Sequence, residues 1–278
     1  LPQETFPLGE SSKSPLHFAA HRDESVIVGY YTSGEVHLRP HHLPLNPERR
    51  DALCQEELKL VACVTMLIDH TAVVFGLPMW LRVIGRLAFP IYCFLITEGI
   101  AHTGSPGRYF LRLGIMAVIS EPIYDFVLYG GRSPWAHQNV LWLLLLGAVM
   151  VEGMGRVKQP VWKILLIVPC YFIADALHLS YGGNGILLMA LFALTRELPG
   201  GKWIQAVGMV LINGIMPSAN IRIFGLSVSV QLFGALAMVP IVLYSGQKRT
   251  RSKAISWGFY IFYPLHLLAL YGLFLCIP

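Results

Sequence analysis

Asp69, His70, Arg86 and Glu98 lie inside two long apolar runs that together span Leu58 to Thr103, with Gly76-Leu77-Pro78 between them. A charged side chain near the centre of a bilayer costs at least about 2.5–3.5 kcal/mol on insertion scales. Groups kept at that cost face an internal, partly wet site, where they hold an ion pair or move a proton. His266 sits near the middle of the last apolar run. Histidine is the ordinary proton carrier near neutral pH, so His70 and His266 are the candidate general bases. Asp69 and His70 are neighbours on one helix and diverge by roughly 100° around its axis. They cannot form a dyad. Whatever orients His70 comes from another segment, and Asp69 is left to pair with Arg86 or His266. The chain has no GxSxG elbow, Walker loop or glycine-rich dinucleotide motif. Direct transfer with a histidine base is therefore expected, without a covalent enzyme intermediate. No HExxH or paired Cys/His spacing points to a metal. Cys54, Cys63, Cys93, Cys170 and Cys276 read as small packing residues.

Long apolar elements must hold these groups. The 278-residue chain is 55% hydrophobic and 13% charged, with mean hydropathy +0.57; soluble domains carry about 25% charged residues. At roughly 17–25 residues per crossing, the pattern predicts an all-α, polytopic transmembrane helical bundle. Its spans, about nine, are 58–77, 80–101, 108–129, 139–156, 160–178, 182–197, 201–217, 226–245 and 254–276. The net charge of +5 comes from basic residues between these runs and marks topology, not nucleic-acid binding. Basic clusters fall on alternate loops: Arg49/Arg50/Lys59, Arg108/Arg112, Arg156/Lys158/Lys163, Arg196/Lys202 and Lys248/Arg249/Arg251/Lys253. The positive-inside rule then puts the N-terminus inside and the C-terminus outside.

On that topology most buried polar side chains share one layer, from the midplane to the outer surface. Asp69, His70, Arg86 and His266 lie in it, with Glu121 and Asp125 four apart on one helix face and Pro122 bending the helix between them. Asn139 opens the fourth span, Asp175 and His178 close the fifth, and Asn184 opens the sixth. Asn213 and Gln231 read as helix–helix hydrogen bonds. Only Glu98 and His102 lie toward the cytoplasm. One layer of this kind is the pattern of a single cavity opening outward.

Residues 1–57 are polar and rich in Pro, Ser, His, Glu and Arg. They are expected to form a partly disordered cytoplasmic tail, with Ser25–Tyr31 as a strand or turn and no signal peptide at the start. Residues 58–278 are then the membrane domain.

Five blocks carry a resemblance: Met66-Leu67-Ile68-Asp69-His70, Gly85-Arg86-Leu87-Ala88-Phe89-Pro90, Gln138-Asn139-Val140-Leu141, Ser180-Tyr181-Gly182-Gly183-Asn184-Gly185 and Phe262-Tyr263-Pro264-Leu265-His266-Leu267. In order and spacing the chain resembles the TraX family over roughly 58–278, and the tail departs from that pattern. The resemblance implies a multi-pass acetyltransferase of the bacterial inner membrane, of the kind that N-acetylates pilin in conjugation, with acetyl-CoA as acyl donor. His70 or His266 would take the acceptor's proton. Arg86, Asn139 or the other histidine would polarise the thioester oxygen. Arg108, Arg112, Lys248 and Arg249 would attract the CoA phosphates from the cytosol. A protein N-terminus, glycan or small molecule would enter from outside, past Asn139, Glu121, Asp175 and Asn184, while membrane lipid surrounds the bundle. A different class of protein stays open at this point: a proton-coupled transporter with Asp69, His70 and Glu121 as relay, although no internal repeat is visible.

Overall fold

The computed structural model of the chain describes residues 16–17, 25–32, 35–42, 52–131, 136–247 and 252–277. Lys248, Arg249 and Arg251, expected at the donor site, lie outside these residues. The chain divides into two compact units, Leu1–Asp51 and Ala52–Pro278.

The first unit holds a three-stranded antiparallel sheet: β1 (Leu16–His17), β2 (Ser25–Thr32) and β3 (Glu35–His42), in the order β1-β2-β3. The stretch Ser25–Tyr31, expected as a strand or turn, is the central strand of this sheet, pairing with β3 from Ser25↔His42 to Thr32↔Glu35. Its partner has a sequence signal too, since Val36 and Leu38 alternate with Glu35, His37 and Arg39 at the strand period of two.

Among its described residues the second unit is mainly helical, with one β-hairpin. Its helices are α1 (Gln55–Val74), α2 (Met79–Gly85), α3 (Ala88–His102), α4 (Pro106–Tyr129) and α5 (Val140–Arg156). They continue as α6 (Pro160–Ala176), α7 (Gly182–Thr195), α8 (Gly201–Ile215), α9 (Met238–Val242) and α10 (Lys253–Cys276). The start of α1 is fixed by the Cys54 N–H, which donates to Glu57 Oε2 at 2.8 Å. The helix α3 is the axis of the unit. It packs on α1, α5 and α7, and Phe89, Ile91, Cys93, Leu95, Ile96 and Ile100 are buried in its contacts.

Two expected spans differ in detail. The segment 80–101 is two successive helices, α2 and α3; Arg86 and Leu87 keep helical dihedrals, and the bond ladder is interrupted there because Pro90 has no N–H to give to the Arg86 carbonyl. The segment 226–245 starts as a strand. β4 (Asn220–Ile223) pairs with β5 (Leu226–Ser229) across Phe224 and Gly225, both at positive φ. A 3-10 helix over Val230–Ala237 then leads into α9. The hairpin has a strand signal of its own, since Ile221 and Ile223 alternate with Asn220 and Arg222, and Leu226 and Val228 with Ser227 and Ser229; the hydropathy of the longer segment masks it.

Two helical stretches, Met79–His102 and Ala254–Cys276, are long and apolar enough to cross a membrane. Apolar residues at helical spacing also line outward faces: Leu111, Ile115 and Val118 on α4, Trp162, Leu165 and Phe172 on α6, and Val207, Leu211 and Ile215 on α8 are all exposed. Water does not favour apolar faces of that extent, and lipid does.

Candidate active site

Five elements bring the site together. Asp69 and His70 sit in the last turns of α1, and Arg82 and Arg86 come from α2 and its end. Asp69 is buried and paired with Arg86, and Arg82 Nε donates to its other oxygen at 3.4 Å. Arg86 continues outward through Nη1, which donates to Gln231 Oε1 at 3.3 Å. Gln231 Nε2 donates to Asn213 Oδ1 at 2.9 Å, and Asn213 Nδ2 donates to the Met209 carbonyl at 2.8 Å. A buried charge pair is held well only when its remaining donors and acceptors are also met; this chain of bonds meets most of them from α1 to α8, and Arg86 Nε is left without a partner among the described residues. Gly85 lets α2 come close enough, since a Cβ there would lie 2.3 Å from Asp69 Cβ.

His70 turns away from Asp69, as neighbours on a helix must, and meets His266 of α10. His70 Nδ1 and His266 Nε2 are 2.7 Å apart. The rings are nearly coplanar, 6° apart in plane with centroids 5.0 Å apart, which leaves room for little but the two ring radii and the bond. This is an in-plane hydrogen bond and not a face-to-face stack. The other nitrogen of His266, Nδ1, lies 2.7 Å from the Phe262 carbonyl oxygen. A carbonyl only accepts, so His266 Nδ1 carries a hydrogen. In the neutral pair His266 Nε2 then accepts, His70 Nδ1 donates, and the lone pair is left on His70 Nε2. The geometry leaves His70 Nε2 as the free proton-accepting nitrogen of the pair, and His266 sets its tautomer.

Both acidic and basic groups open onto one cleft of about 780 Å³, lined among others by Asp69, His70, Arg82, Arg86, Asp175 and Asn184. This cleft lies at the distal end of the unit, where α1, α4 and α6 end and α3, α5 and α7 begin. Tyr181, at φ +69°, begins α7 and stacks on Phe89 with ring centroids 3.6 Å apart. Asp175 accepts from the Gly183 N–H at 2.6 Å, so it caps α7 while lining the cleft.

A second cleft, of about 470 Å³, opens at the opposite, proximal end, where α1, α4 and α10 begin. Lys59, His102, Glu98 and Arg112 line it. Met66, Tyr92, Val140 and Tyr263 line both clefts and form the partition between them.

Several expected site residues stand elsewhere. Glu121 accepts from the Asn139 side chain, from its backbone N–H at 3.2 Å and from Trp142 Nε1 at 2.7 Å. Asn139 in turn caps α5 by accepting from the Leu141 N–H at 2.9 Å. Neither is among the residues lining the distal cleft. Arg108 donates to Ser105 Oγ at 2.6 Å on the surface and is not among those lining the proximal cleft, whereas Arg112 is. Arg82 and Tyr263 carried no expectation of a site role; Arg82 looked like a loop charge, and Tyr263 lay inside the block around His266.

The five sequence blocks meet at this place. Asp69 joins Arg86, His70 joins His266, Phe89 joins Tyr181, and Gln138 pairs with Leu179 beside Tyr181. The TraX protein family matches residues 54–274, the part of the chain that contains all five blocks.

The chain belongs to the TraX family.

Two curated relatives agree with the family match. A probable fimbrial assembly protein FimC, serogroup H1, of Dichelobacter nodosus is 28% identical over 230 residues, covering 76% of this chain and 91% of the relative. Protein TraX of Escherichia coli is 24% identical over 231 residues, covering 81% of this chain and 87% of the relative. No solved structure matches the chain.

Proposed function

We propose that this TraX-family chain is an integral membrane acetyltransferase that moves an acetyl group from cytosolic acetyl-CoA to an amine or hydroxyl on the far side of the bilayer. The observation that carries the reading is the His70–His266 pair. His70, which carries the free lone pair, lines the distal cleft, and the proximal cleft approaches from the other end up to the shared wall of Met66, Tyr92, Val140 and Tyr263.

The proximal cleft suits the donor. Lys59 and Arg112 line it, and Arg112 Nε is buried without a partner among the described residues, a donor set fitted to phosphate oxygens. Acetyl-CoA supplies an activated acyl group, and this chain supplies binding and a base. The acceptor enters the distal cleft, loses its proton to His70 Nε2 and bonds to the acetyl carbon; the carbon–sulfur bond breaks and the proton passes to the leaving sulfur. Asp69 and Arg86 hold α1 and α2 in register so that His70 faces the cleft. One relative's name concerns fimbrial assembly, which fits a pilin as acceptor; that the N-terminus would be the acceptor group is implied by the family resemblance alone.

In this reading the second unit crosses the inner membrane nine times, with the proximal end and the N-terminal unit in the cytoplasm. The alternation of helix ends between the two clefts supports it, as do the basic clusters of the proximal loops and the exposed apolar flanks. A proton relay through Asp69, His70 and Glu121 is less well supported, because Glu121 is engaged by Asn139 and Trp142.

Calorimetry of acetyl-CoA with the purified chain in detergent tests the donor. Saturable binding roughly in the micromolar range, retained by His70→Ala, is expected. A folded, monodisperse sample that binds no acetyl-CoA would contradict the proposal.

A further inference from the structure

The partition between the clefts contains a polar group that the base and the ion pair do not use. Tyr263 is buried, lines both clefts, and its hydroxyl has no hydrogen-bond partner among the described residues. A buried hydroxyl left in that state costs free energy that a bound acceptor atom would restore. Its ring lies against the histidine pair, with centroids 6.4 Å from His70 and 5.7 Å from His266.

A second donor faces the same point. Val140 is the first residue of the seventeen-residue helix α5 and also lines both clefts. The N–H of a first-turn residue has no acceptor within its own helix, and the helix dipole adds positive potential there. Val140 and Tyr263 stand together in the wall between the clefts, with the Val140 N–H near the Tyr263 hydroxyl. Asn139 takes the next N–H, of Leu141, and so fixes where this helix end points.

We propose that the Tyr263 hydroxyl and the Val140 N–H form the oxyanion site of the transfer, holding the acetyl carbonyl oxygen in the wall between the clefts while His70 takes the acceptor's proton. This rests on the acyl-transfer reading. When the acceptor bonds to the carbonyl carbon, the carbonyl oxygen gains negative charge; both donors keep their hydrogens and only strengthen their bonds to it. The pair that opens when the carbon–sulfur bond breaks leaves on sulfur, and the carbonyl re-forms. Tyr263 thus touches the reacting group without exchanging a proton with it.

The test uses the full chain in native membranes with acetyl-labelled acetyl-CoA, counting label passed to membrane components plus acetate released. Tyr263→Phe removes one oxygen and keeps the ring. Its expected effect is a fall of roughly 10²–10³-fold in kcat with KM for acetyl-CoA unchanged. A second readout does not depend on turnover. Acetyl-CoA bound to the His70→Ala chain should show its carbonyl stretch at lower frequency than in water, and adding Tyr263→Phe should remove much of that shift. Wild-type kcat and an unmoved carbonyl band in Tyr263→Phe would overturn the oxyanion site alone. Loss of acetyl-CoA binding in Tyr263→Phe would also overturn it, since the hydroxyl would then serve ground-state binding. Absence of any label transfer or acetate from the wild-type chain would instead overturn the acyl-transfer reading beneath it.

Discussion

His70 and His266 are 196 positions apart in sequence and share one hydrogen bond. Two residues that act as one unit are non-additive when removed. His70→Ala and His266→Ala should each lower kcat by about 10²–10⁴-fold, and the double variant should be no slower than the slower single one. Multiplied losses in the double variant, measured with labelled acetyl-CoA, would mean that the histidines act separately. The sign of the pH effect follows from the same bond. A base must enter the reaction unprotonated, and a proton added to the pair occupies the lone pair of His70 Nε2. The rate should therefore fall on acidification and level off on the alkaline side, and His70→Ala should abolish that limb. The residue types of this site were legible in the sequence, because charges in an apolar run stand out. Which histidine keeps the free lone pair was not, because that depends on the Phe262 carbonyl, which fixes the His266 tautomer. Arg82 was hidden for the opposite reason. A charge near a predicted loop needs no explanation in sequence; Arg82 reaches Asp69 because it lies one turn before Arg86 on the same face of α2.

At the scale of elements, close approaches decide whether the site assembles. A Cβ on Gly85 would meet Asp69 at 2.3 Å, so Gly85→Ala must push α2 from α1. Overpacking of this kind costs about 1–3 kcal/mol. Thermal unfolding in detergent should show a lowered midpoint, together with reduced activity; an unchanged midpoint would show that the helices part without cost. Glu121 serves α5 in a similar way. Its carboxylate receives Asn139 and Trp142, and an amide presents one oxygen fewer to those donors. Glu121→Gln should destabilise by about 1–3 kcal/mol while leaving KM for acetyl-CoA as it was. A raised KM at full stability would return Glu121 to the binding machinery. The sequence placed these helices well because long apolar runs separated by basic loops leave little choice. The hairpin was legible as well, in the period-two alternation on either side of Phe224-Gly225, but the hydropathy of the longer segment masked it; the interruption before α3 was signalled by Pro90, which has no N–H to give to the Arg86 carbonyl.

For the whole molecule the account requires two clefts that open on opposite sides of one membrane. Ser218 lies in the distal loop after α8, and Gly246 lies at the proximal cleft. In a chain whose native cysteines are replaced, a membrane-impermeant maleimide added to intact spheroplasts should label Ser218→Cys. Gly246→Cys should react only after permeabilisation. The reverse pattern would invert the topology and place the basic cleft away from cytosolic acetyl-CoA. The convergence of the five sequence blocks on one cleft belongs to this scale as well. Their order along the chain was visible, but their meeting depends on how α1, α3, α5, α7 and α10 pack together. The most direct test of the central claim is transfer of labelled acetyl from acetyl-CoA in inverted membrane vesicles, whose cytoplasmic face is outward, carrying either the wild-type chain or His70→Ala. The account predicts acetyl-CoA-dependent labelling or acetate release by the wild-type chain, and acetyl-CoA binding without turnover by His70→Ala. Equal turnover by both chains, or none by a wild-type chain that is folded and inserted, would contradict it.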